Sequence, residues 1–370
     1  LDGSRLTATV ADQASVEAGD SVTLDNTNLT AGALTATAKK GELSVKDAVI
    51  TAKNGEVTLT AEASDINASS AKLTAEDELT LTAQQSITAT DANVTSNSLT
   101  MTAKTGKLDG SRLTATVAER ASIVAGKSVT LDSSKLGAGA LSATANSGDL
   151  SLKSAELDIS GAAELTAKQS ITATEASVEA DSLTMTAETG KLDGSRLTAT
   201  VADQASIVAG DSVMLDKTVL TAGALTATAT TGILSVKDAE IKATKDGVTL
   251  TAEAADIDAS GVNLSAVGAA TLTAGQDLKL ATSGDAVARV TAKSLSATAC
   301  GALDASRLQV AVKEASAFRS NGLLTITDAN VSGGSLRAEG DAGVEGSRIK
   351  VDVTGNGYNE GNRGDYEGVV

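Results

Sequence analysis

The chain has 370 residues and a net charge of −17, and it contains no proline, histidine or tryptophan. This acidic balance argues against nucleic acid and anionic lipid as partners, since both are bound through clustered Lys and Arg. The absence of His removes the commonest general base and metal ligand, and a single Cys excludes an intramolecular disulfide framework. No run approaches about 18 apolar residues, so the sequence predicts no membrane-spanning helix.

A ladder of Leu, Ile and Val recurs about every 21 residues from the start of the chain almost to its end. A period in this range is typical of a stacked repeat protein in which each unit contacts only its neighbours. The chain starts at Leu1 without Met or a signal peptide, so we expect a processed product or an excised piece. The predicted rungs are Leu6, Leu29, Ile50, Leu73, Val94, Leu113, Leu136, Leu157, Val178, Leu197, Leu220, Ile241, Leu264, Val287, Leu308, Val331 and Ile349.

A longer sequence repeat is superimposed on this period of about 21 residues. The segment LDGSRLTATVA begins at Leu1, Leu108 and Leu192, and returns as LDASRLQVAV at Leu303. Residues 150–170 resemble two coils fused into one, so the second block has lost a whole coil. We therefore predict blocks 1–107 (five coils), 108–191 (four coils) and 192–302 (five coils), degenerate terminal coils at 303–353, and a Gly- and Asn-rich tail at 354–370.

Within each coil, apolar residues alternate with threonine, as in LTATA at Leu34–Ala38. Period two predicts a strand with one buried face, here with Leu34, Ala36 and Ala38 inward. Tight corners at Asp-Gly, Asn-Gly and Ala-Gly separate the short strands. The sequence thus predicts an all-β fold, a right-handed parallel β-helix (solenoid) of about 17 coils of about 21 residues, with three short strands per coil.

Carboxylates precede the predicted rung by three or four residues in thirteen coils. Stacked one strand spacing apart they would repel, unless a cation or backbone donors offset the charge. One interpretation is a weak Ca²⁺ ladder, and the other is that each Asp caps its own turn. The nine calcium candidates are Asp2, Asp25, Asp47, Asp91, Asp109, Asp132, Asp193, Asp216 and Asp238; Glu175, Asp304, Asp328 and Glu345 complete the set.

Threonine pairs would line one outward face, and such a row is similar to the ice-binding face of β-helical antifreeze proteins. The alternative is that Thr is simply a good outward residue for a strand. The row breaks at Ser15, Ser122 and Ser206. The pairs are Thr35/Thr37, Thr58/Thr60, Thr80/Thr82, Thr100/Thr102, Thr184/Thr186, Thr226/Thr228, Thr249/Thr251 and Thr271/Thr273.

Three further features are isolated. The Gly-Ser-Arg corners place Arg5, Arg112, Arg196 and Arg348 several coils apart, so we expect corner salt bridges to neighbouring acids rather than one ligand site. Cys300 is expected to be a buried, inert thiol. Arg363-Gly364-Asp365 is the tripeptide that integrins recognise, although three residues match often by chance. No catalytic residue is predicted, since the rungs follow one another closely and leave no large loop that could form a cleft.

The coils LTATAKKGELSVKDAVITAKNGEVTLTAEA and ELTLTAQQSITATDANVTSNSLTMTAKTG resemble the haemagglutinin repeats of filamentous-haemagglutinin-like exoproteins of two-partner secretion systems. The resemblance covers about residues 1–350. It implies a right-handed β-helical stalk on the surface of a Gram-negative bacterium, used for adhesion or to hold a terminal domain away from the cell. The N-terminal secretion domain and a C-terminal toxin of that family are missing, so the resemblance implies a segment of the shaft.

The sequence therefore predicts a non-enzymatic, structural or adhesive extracellular rod without a cofactor. Its partners would be a host or neighbouring cell surface. A second interpretation is a subunit that assembles with itself head to tail, since open β-helix ends invite strand addition. A third is a binder of ice or calcium through the Thr or Asp rows.

Overall fold

The computed structural model describes residues 1–281 and 287–354, together with the backbone of residues 358–359. The chain divides into two compact units, Leu1–Glu188 and Thr189–Val370. The boundary falls close to the third LDGSR segment. In each unit the described strands pair in parallel, and no helix occurs within the described ranges. The chain is thus an all-β parallel solenoid of about 16 turns of about 21 residues, a repeat length typical of stacked repeat proteins.

One turn contains three strands, which define three faces. In the first unit, Val22–Thr23 lies on the short face, Asn28–Ala31 on the middle face and Ala33–Ala38 on the long face. Each strand pairs with its counterpart on the next turn, as Val22 does with Leu43 and Leu29 with Ile50. The backbone groups of one turn are therefore bonded to the turns on either side, which is how a narrow interior satisfies its polar groups.

The first unit contains the following strands. The short face holds Val22–Thr23, Leu43–Ser44, Ile66–Asn67, Ile87–Thr88, Leu108–Asp109, Val129–Thr130, Leu150–Ser151 and Ile171–Thr172. The middle face holds Thr7–Thr9, Asn28–Ala31, Val49–Ala52, Lys72–Ala75, Glu156–Ile159 and Ser177–Ala180. The long face holds Gln13–Ala18, Ala33–Ala38, Val57–Ala61, Glu78–Ala83, Ala162–Ala167 and Ser182–Ala187. Continuous strands cover both of these faces at Asn93–Ala103, Thr114–Ala125 and Lys135–Ala145.

The second unit repeats this arrangement. The short face holds Leu192–Asp193, Val213–Met214, Leu234–Ser235, Ile257–Asp258, Leu278–Lys279, Leu303–Asp304, Leu324–Thr327 and Val344–Ser347. The middle face holds Glu240–Ala243, Asn263–Ala266, Ala288–Ala292, Leu308–Val312, Asn330–Gly333 and Lys350–Val353. The long face holds Val248–Ala252, Ala269–Ala274, Ser294–Ala299, Ala315–Ser320, Ser335–Gly340 and Tyr358–Asn359. The continuous strands are Thr198–Ala209 and Val219–Ala229.

The core consists of the inward residues of these strands. Leu34, Ala36 and Ala38 are buried while Thr35 and Thr37 are half-buried, so the predicted alternation is confirmed. Burying one Leu, Ile or Val side chain stabilises a fold by about 1.5–3 kcal/mol. Aliphatic residues alone fill most of this interior, and Phe318 is the one large aromatic among the fully buried side chains of the described residues.

Most long-face strands end in alanine, and in each unit these residues form a column, which in the second unit continues to Ala299. Ala38 pairs with Ala61, which pairs with Ala83, and in the second unit Ala229 pairs with Ala252. Such alanines are fully buried, for example at Ala103 and Ala145. The strand turns a corner here, and only a methyl group fits between the stacked turns.

The middle-face ladder differs from the predicted one at six rungs. Ala115, not Leu113, pairs with Val94 on one side and Leu136 on the other. Leu113 lies two residues earlier and is also buried. The segment LTATV offers inward residues at Leu113, Ala115 and Val117, and period two cannot decide which of them continues the ladder. The same two-residue correction applies to Leu6, Leu197, Leu308 and Ile349, and Val287 lies three residues before the true rung, Val290.

The corner between the short and middle faces has one backbone conformation in almost every described turn. A single residue there has a φ between 52° and 71°, in the left-handed region that favours Gly, Asn and Asp. The residues in this left-handed column are Arg5, Asn26, Asp47, Ser70, Asp91, Arg112, Ser133, Ser154, Glu175, Arg196, Lys217, Asp238, Gly261, Arg307, Asp328 and Arg348.

Candidate functional site

The nine calcium candidates do not form one ladder. They separate into three columns of three. The two-residue error in the predicted rungs displaced the first column, and the predicted spacing of three or four residues combined the other two. Asp2, Asp109 and Asp193 lie in or beside the short-face strands. Asp25, Asp132 and Asp216 lie two residues further along their turns. Asp47, Asp91 and Asp238 occupy the left-handed column.

In the first column, each carboxylate bonds to its own turn. The Oδ1 atom of Asp109 accepts hydrogen bonds from Ser111 N at 3.0 Å and Ser111 Oγ at 2.6 Å. Asp193 accepts one from Ser195 N at 3.0 Å. The side chain thus closes a turn on its own backbone, the second interpretation of the sequence pattern. At Asp2 the bond from Ser4 holds the pKa of the carboxyl below its usual range.

In the second column, each carboxylate bonds to the following turn. The Oδ1 atom of Asp132 accepts hydrogen bonds from Ser151 Oγ at 2.6 Å and from Lys153 N at 2.9 Å. Asp25 and Asp216 make the same pair of bonds with Ser44 and Lys46, and with Ser235 and Lys237. These carboxylates therefore fasten one turn to the next, and at least one oxygen of each is already bonded.

The expected stacking of like charges is wrong for these nine residues. Asp109 lies between Thr88 and Thr130 on the short face. In the left-handed column, Asp91 lies between Ser70 and Arg112. Because uncharged or basic residues separate the carboxylates, repulsion along a column is small and needs no bridging cation. Within the described residues, no group of three or more His, Cys, Asp or Glu side chains is arranged to hold a metal ion.

The arginine corners form ion pairs, as predicted, at two described positions. Arg112 Nε lies 2.6 Å from Asp91 Oδ1, and Arg112 Nη2 lies 2.6 Å from Asp91 Oδ2. Arg348 pairs with both carboxylate oxygens of Asp328 in the same way. The arginine holds the pKa of Asp91, and likewise that of Asp328, below the usual range of a carboxyl group. All four side chains are at least one-third open to solvent, so these pairs contribute little stability.

The threonine pairs form uninterrupted rows on the long face of each unit. In the first unit, the rows at Thr35/Thr37, Thr58/Thr60, Thr80/Thr82 and Thr100/Thr102 are consecutive. Ser122 and Val124 follow at the next turn. In the second unit, the consecutive rows are Thr226/Thr228, Thr249/Thr251 and Thr271/Thr273.

The hydroxyl groups of this grid are not all free. Thr80 Oγ1 donates to Glu78 Oε1 at 2.8 Å, and Thr100 Oγ1 donates to the same oxygen at 3.2 Å. The carboxylate of Glu78 thus borders the grid on one side. In the same columns, Glu164 is the register partner of Thr184 on adjacent turns near the end of the first unit.

One shallow acidic depression was missed by the sequence analysis. Asp256, Asp258, Asp277 and Asp304 line it together with Lys279. Asp256 Oδ1 accepts a hydrogen bond from Asp277 N at 2.9 Å. Asp277 Oδ1 in turn accepts one from the backbone N of residue 302 at 2.7 Å. The sequence feature that could have revealed the depression is an Asp or Ser directly before each short-face strand. The side chain of this residue again joins successive turns.

The remaining candidates are not part of a site. Cys300 is exposed, so the expectation of a buried thiol is wrong. The side chains of Ala297 and Ala299 point into the core and that of Thr298 points toward solvent. Continued alternation places the side chain of Cys300 on the solvent side. Arg363-Gly364-Asp365 lies outside the described residues. Within the described ranges, no helix is long and apolar enough to cross a membrane.

No family model matches the chain, and it matches neither a curated protein nor a solved structure.

Proposed function

We propose that the chain is a structural rod segment of a bacterial surface protein, used for reach and adhesion, of the filamentous-haemagglutinin-like kind. The observation that carries this proposal is the uniformity of the turns. Successive short-face strands follow at a nearly constant spacing in each unit, from Val22 to Ile171 and from Leu192 to Val344. Strands and tight corners account for nearly every described residue, so the described turns carry no long loop that could form a catalytic cleft.

The remaining details of the rod belong to the same proposal. A right-handed winding follows from the preference of parallel crossovers. About 17 coils at a strand spacing of about 4.8 Å give a rod of about 80 Å. The outward residues are mostly Thr, Ser, Lys, Glu and Asp, which keep such a rod soluble outside the cell. The function is mechanical and no cofactor takes part.

Electron microscopy across a concentration series tests this function. Discrete rods of that length at every concentration are the expected result. Compact globules would contradict the proposal. Fibres that lengthen with concentration would favour the head-to-tail assembly, in which the ends of the rod become the binding surfaces. Binding of labelled protein to bacterial and animal cell surfaces then tests adhesion, with a globular protein of equal charge as the control.

Ice binding is a second candidate, favoured by the four consecutive Thr-x-Thr rows of the first unit. These rows present hydroxyl and methyl groups in a regular two-dimensional pattern without a charged residue inside it. Thermal hysteresis of the freezing point is the readout. The variant Thr58→Lys with Thr80→Lys should abolish it if this candidate is correct. Thr74→Lys, on the middle face, is the matched control.

A further inference from the structure

The turns that begin with LDGSR pack against the following turn through a set of matched side chains. Gly110 leaves room for the side chain of Leu131, whose Cδ2 atom lies 3.0 Å from where a Cβ at Gly110 would be. Leu113 fills the other side of this space, with its Cδ2 at 3.5 Å from the same point. Ser134 is fully buried, and its Oγ donates to Gly110 O at 2.6 Å.

This arrangement occurs three times in the chain. The corresponding hydroxyl groups donate to a glycine carbonyl oxygen in each copy, from Thr27 to Gly3 at 2.9 Å and from Thr218 to Gly194 at 2.7 Å. The leucine on the following turn approaches the glycine equally closely each time. The three sets are Gly3, Leu24 and Thr27; Gly110, Leu113, Leu131 and Ser134; and Gly194, Leu197, Leu215 and Thr218. In the first set the second leucine near the glycine is Leu1, whose Cδ2 lies at 4.0 Å.

A second matched feature lies at the opposite corner of the same pairs of turns. Two residues, Ala118 and Glu119, stand between Val117 and Arg120 where the following turn has only Gly139. A Cβ at Gly139 would lie 2.3 Å from the carbonyl oxygen of Glu119, so only glycine fits. Gly32 meets Asp12 O at 2.5 Å, and Gly223 meets Asp203 O at 2.3 Å, in the same way.

The other described turns lack the leucine and hydroxyl contacts and resemble one another, although Gly334 also meets a carbonyl oxygen at the opposite corner, that of Glu314 at 2.6 Å. The corner positions equivalent to Gly110 and Leu113 hold Ala68 and Ala71 in one turn and Ala89 and Ala92 in another. Their long-face strands, Glu78–Ala83 and the end of Asn93–Ala103, carry nearly the same pattern of Leu, Thr and Ala. Either could accept the neighbours of the other, so uniform packing alone specifies the alignment of turns weakly.

We propose that the three matched pairs of turns, which begin at Leu1, Leu108 and Leu192, are register locks that hold the interchangeable turns in a single alignment. Slippage by one turn at the second lock would bring two residues, Ser160 and Gly161, to the place of the single Gly139. It would also separate the leucine of each lock from the space that its glycine provides. The locks explain why the block at 108–191 differs from the others by a whole turn, since turns between locks can be lost without disturbing the locks themselves.

Engineered cysteine pairs test the alignment directly, in a Cys300→Ser background. Ser122 and Ser142 are register partners across the lock, so Ser122→Cys with Ser142→Cys reports the native alignment. Glu164 lies one turn further away, and Ser122→Cys with Glu164→Cys can cross-link only after slippage by one turn across the lock. Each pair is refolded from denaturant under reducing conditions and then oxidised, and the cross-linked fraction is measured by mass spectrometry.

The lock is removed by Gly110→Ala, Leu113→Ala, Ser134→Ala and Gly139→Asn. The control variant, Leu73→Ala with Leu81→Ala, removes buried volume from a turn without a lock. We expect the slipped cross-link to rise at least tenfold in the lock-free variant and to stay at the wild-type level in the control. Equal slipped fractions in both variants would overturn the proposal. If the fourfold variant does not refold, Leu113→Ala alone decides the matter by the same comparison.

Discussion

Arg112 and Asp91 face each other across one turn of the solenoid, both from left-handed corner residues, and their side chains form two hydrogen bonds of 2.6 Å each. The arginine stabilises the ionised carboxylate and lowers the pKa of Asp91. A lowered carboxyl pKa contributes stability that is present above the unfolded-state pKa of about 3.9 and is lost as the pH falls through the folded-state pKa.

We therefore expect Asp91→Asn to lower the melting temperature slightly at pH 7, with the difference from wild type disappearing by about pH 2. Melting curves at a series of pH values measure this difference. Thr95→Ser, at an exposed and uncharged residue, is the control and should give a constant difference. A difference for Asp91→Asn that grows on acidification would contradict the assignment.

Two buried serines should respond in opposite ways to the same substitution. Ser96 Oγ is buried with no hydrogen-bond partner, whereas Ser134 Oγ donates to Gly110 O. Removing an unsatisfied buried hydroxyl relieves a desolvation penalty, so Ser96→Ala should raise the free energy of unfolding by about 1 kcal/mol. Ser134→Ala should lower it by about 0.5–1.5 kcal/mol, since the hydrogen bond to Gly110 O is lost while that oxygen keeps its bond from Leu113 N. Urea denaturation of both variants checks the signs, and two changes of equal sign would refute this prediction.

The alanine column should reject larger side chains. Ala103 is fully buried between Ala83 and Ala125, so Ala103→Leu overpacks the corner and should destabilise the fold by about 1–3 kcal/mol or more. Thr102→Leu adds volume on the outward side of the same strand and should change stability by less than about 0.5 kcal/mol. Chemical denaturation compares the two. Similar losses in both would mean that the corner has unused space.

Left-handed corners that lack Gly, Asn or Asp should be improved by glycine. Ser154 has a φ of 53°, a conformation that costs an ordinary residue about 1 kcal/mol. Ser154→Gly should therefore stabilise the protein by about 0.5 kcal/mol, after the greater freedom of glycine in the unfolded chain is counted. Thr35→Gly, in an extended strand, is the control and should destabilise it by about 0.5–1 kcal/mol. Thermal melting would contradict the prediction if Ser154→Gly were the more damaging change.

Calcium should leave the fold unaffected. The candidate carboxylates of the first two columns already accept hydrogen bonds from neighbouring backbone or hydroxyl groups, as Asp109 and Asp132 do, and Asp91 is paired with Arg112. Melting temperatures in CaCl₂, in MgCl₂ of equal ionic strength and in EDTA should agree. A cation that bound the folded state would raise the melting temperature by mass action. A rise specific to calcium would restore the cation interpretation, and Asp132→Asn would then identify the column involved.

The solenoid could be predicted because the sequence has two clear periods. Alternation such as Leu34, Thr35, Ala36 specifies a strand with one buried face, and the recurrence of about 21 residues specifies the stacking. The rungs at Leu29, Ile50 and Leu73 are confirmed as register partners. These features are local and repeated many times, so no long-range information was needed.

The register of individual turns was harder to predict. At Leu113 and Leu197 the alternation continues past the corner, and nothing in the local pattern shows where the corner ends. This error also affected the predicted carboxylate ladder. Asp109 and Asp25 lie at different sequence distances from the true rungs of their turns, which are Ala115 and Leu29. The left-handed residue at each corner fixes the correct alignment, yet Arg, Ser, Lys and Glu occupy it as well as Asn and Asp, so composition does not reveal it.

The central claim is that the chain is a stack of interchangeable turns. The most direct test is to duplicate one block and to measure the length of the particles. A variant in which residues 108–191 are repeated in tandem adds about four turns, each a strand spacing of about 4.8 Å. Averaged electron-microscopy images should show particles about 19 Å longer than wild type and unchanged in width. Particles that widen or aggregate, or that keep the wild-type length, would contradict the account.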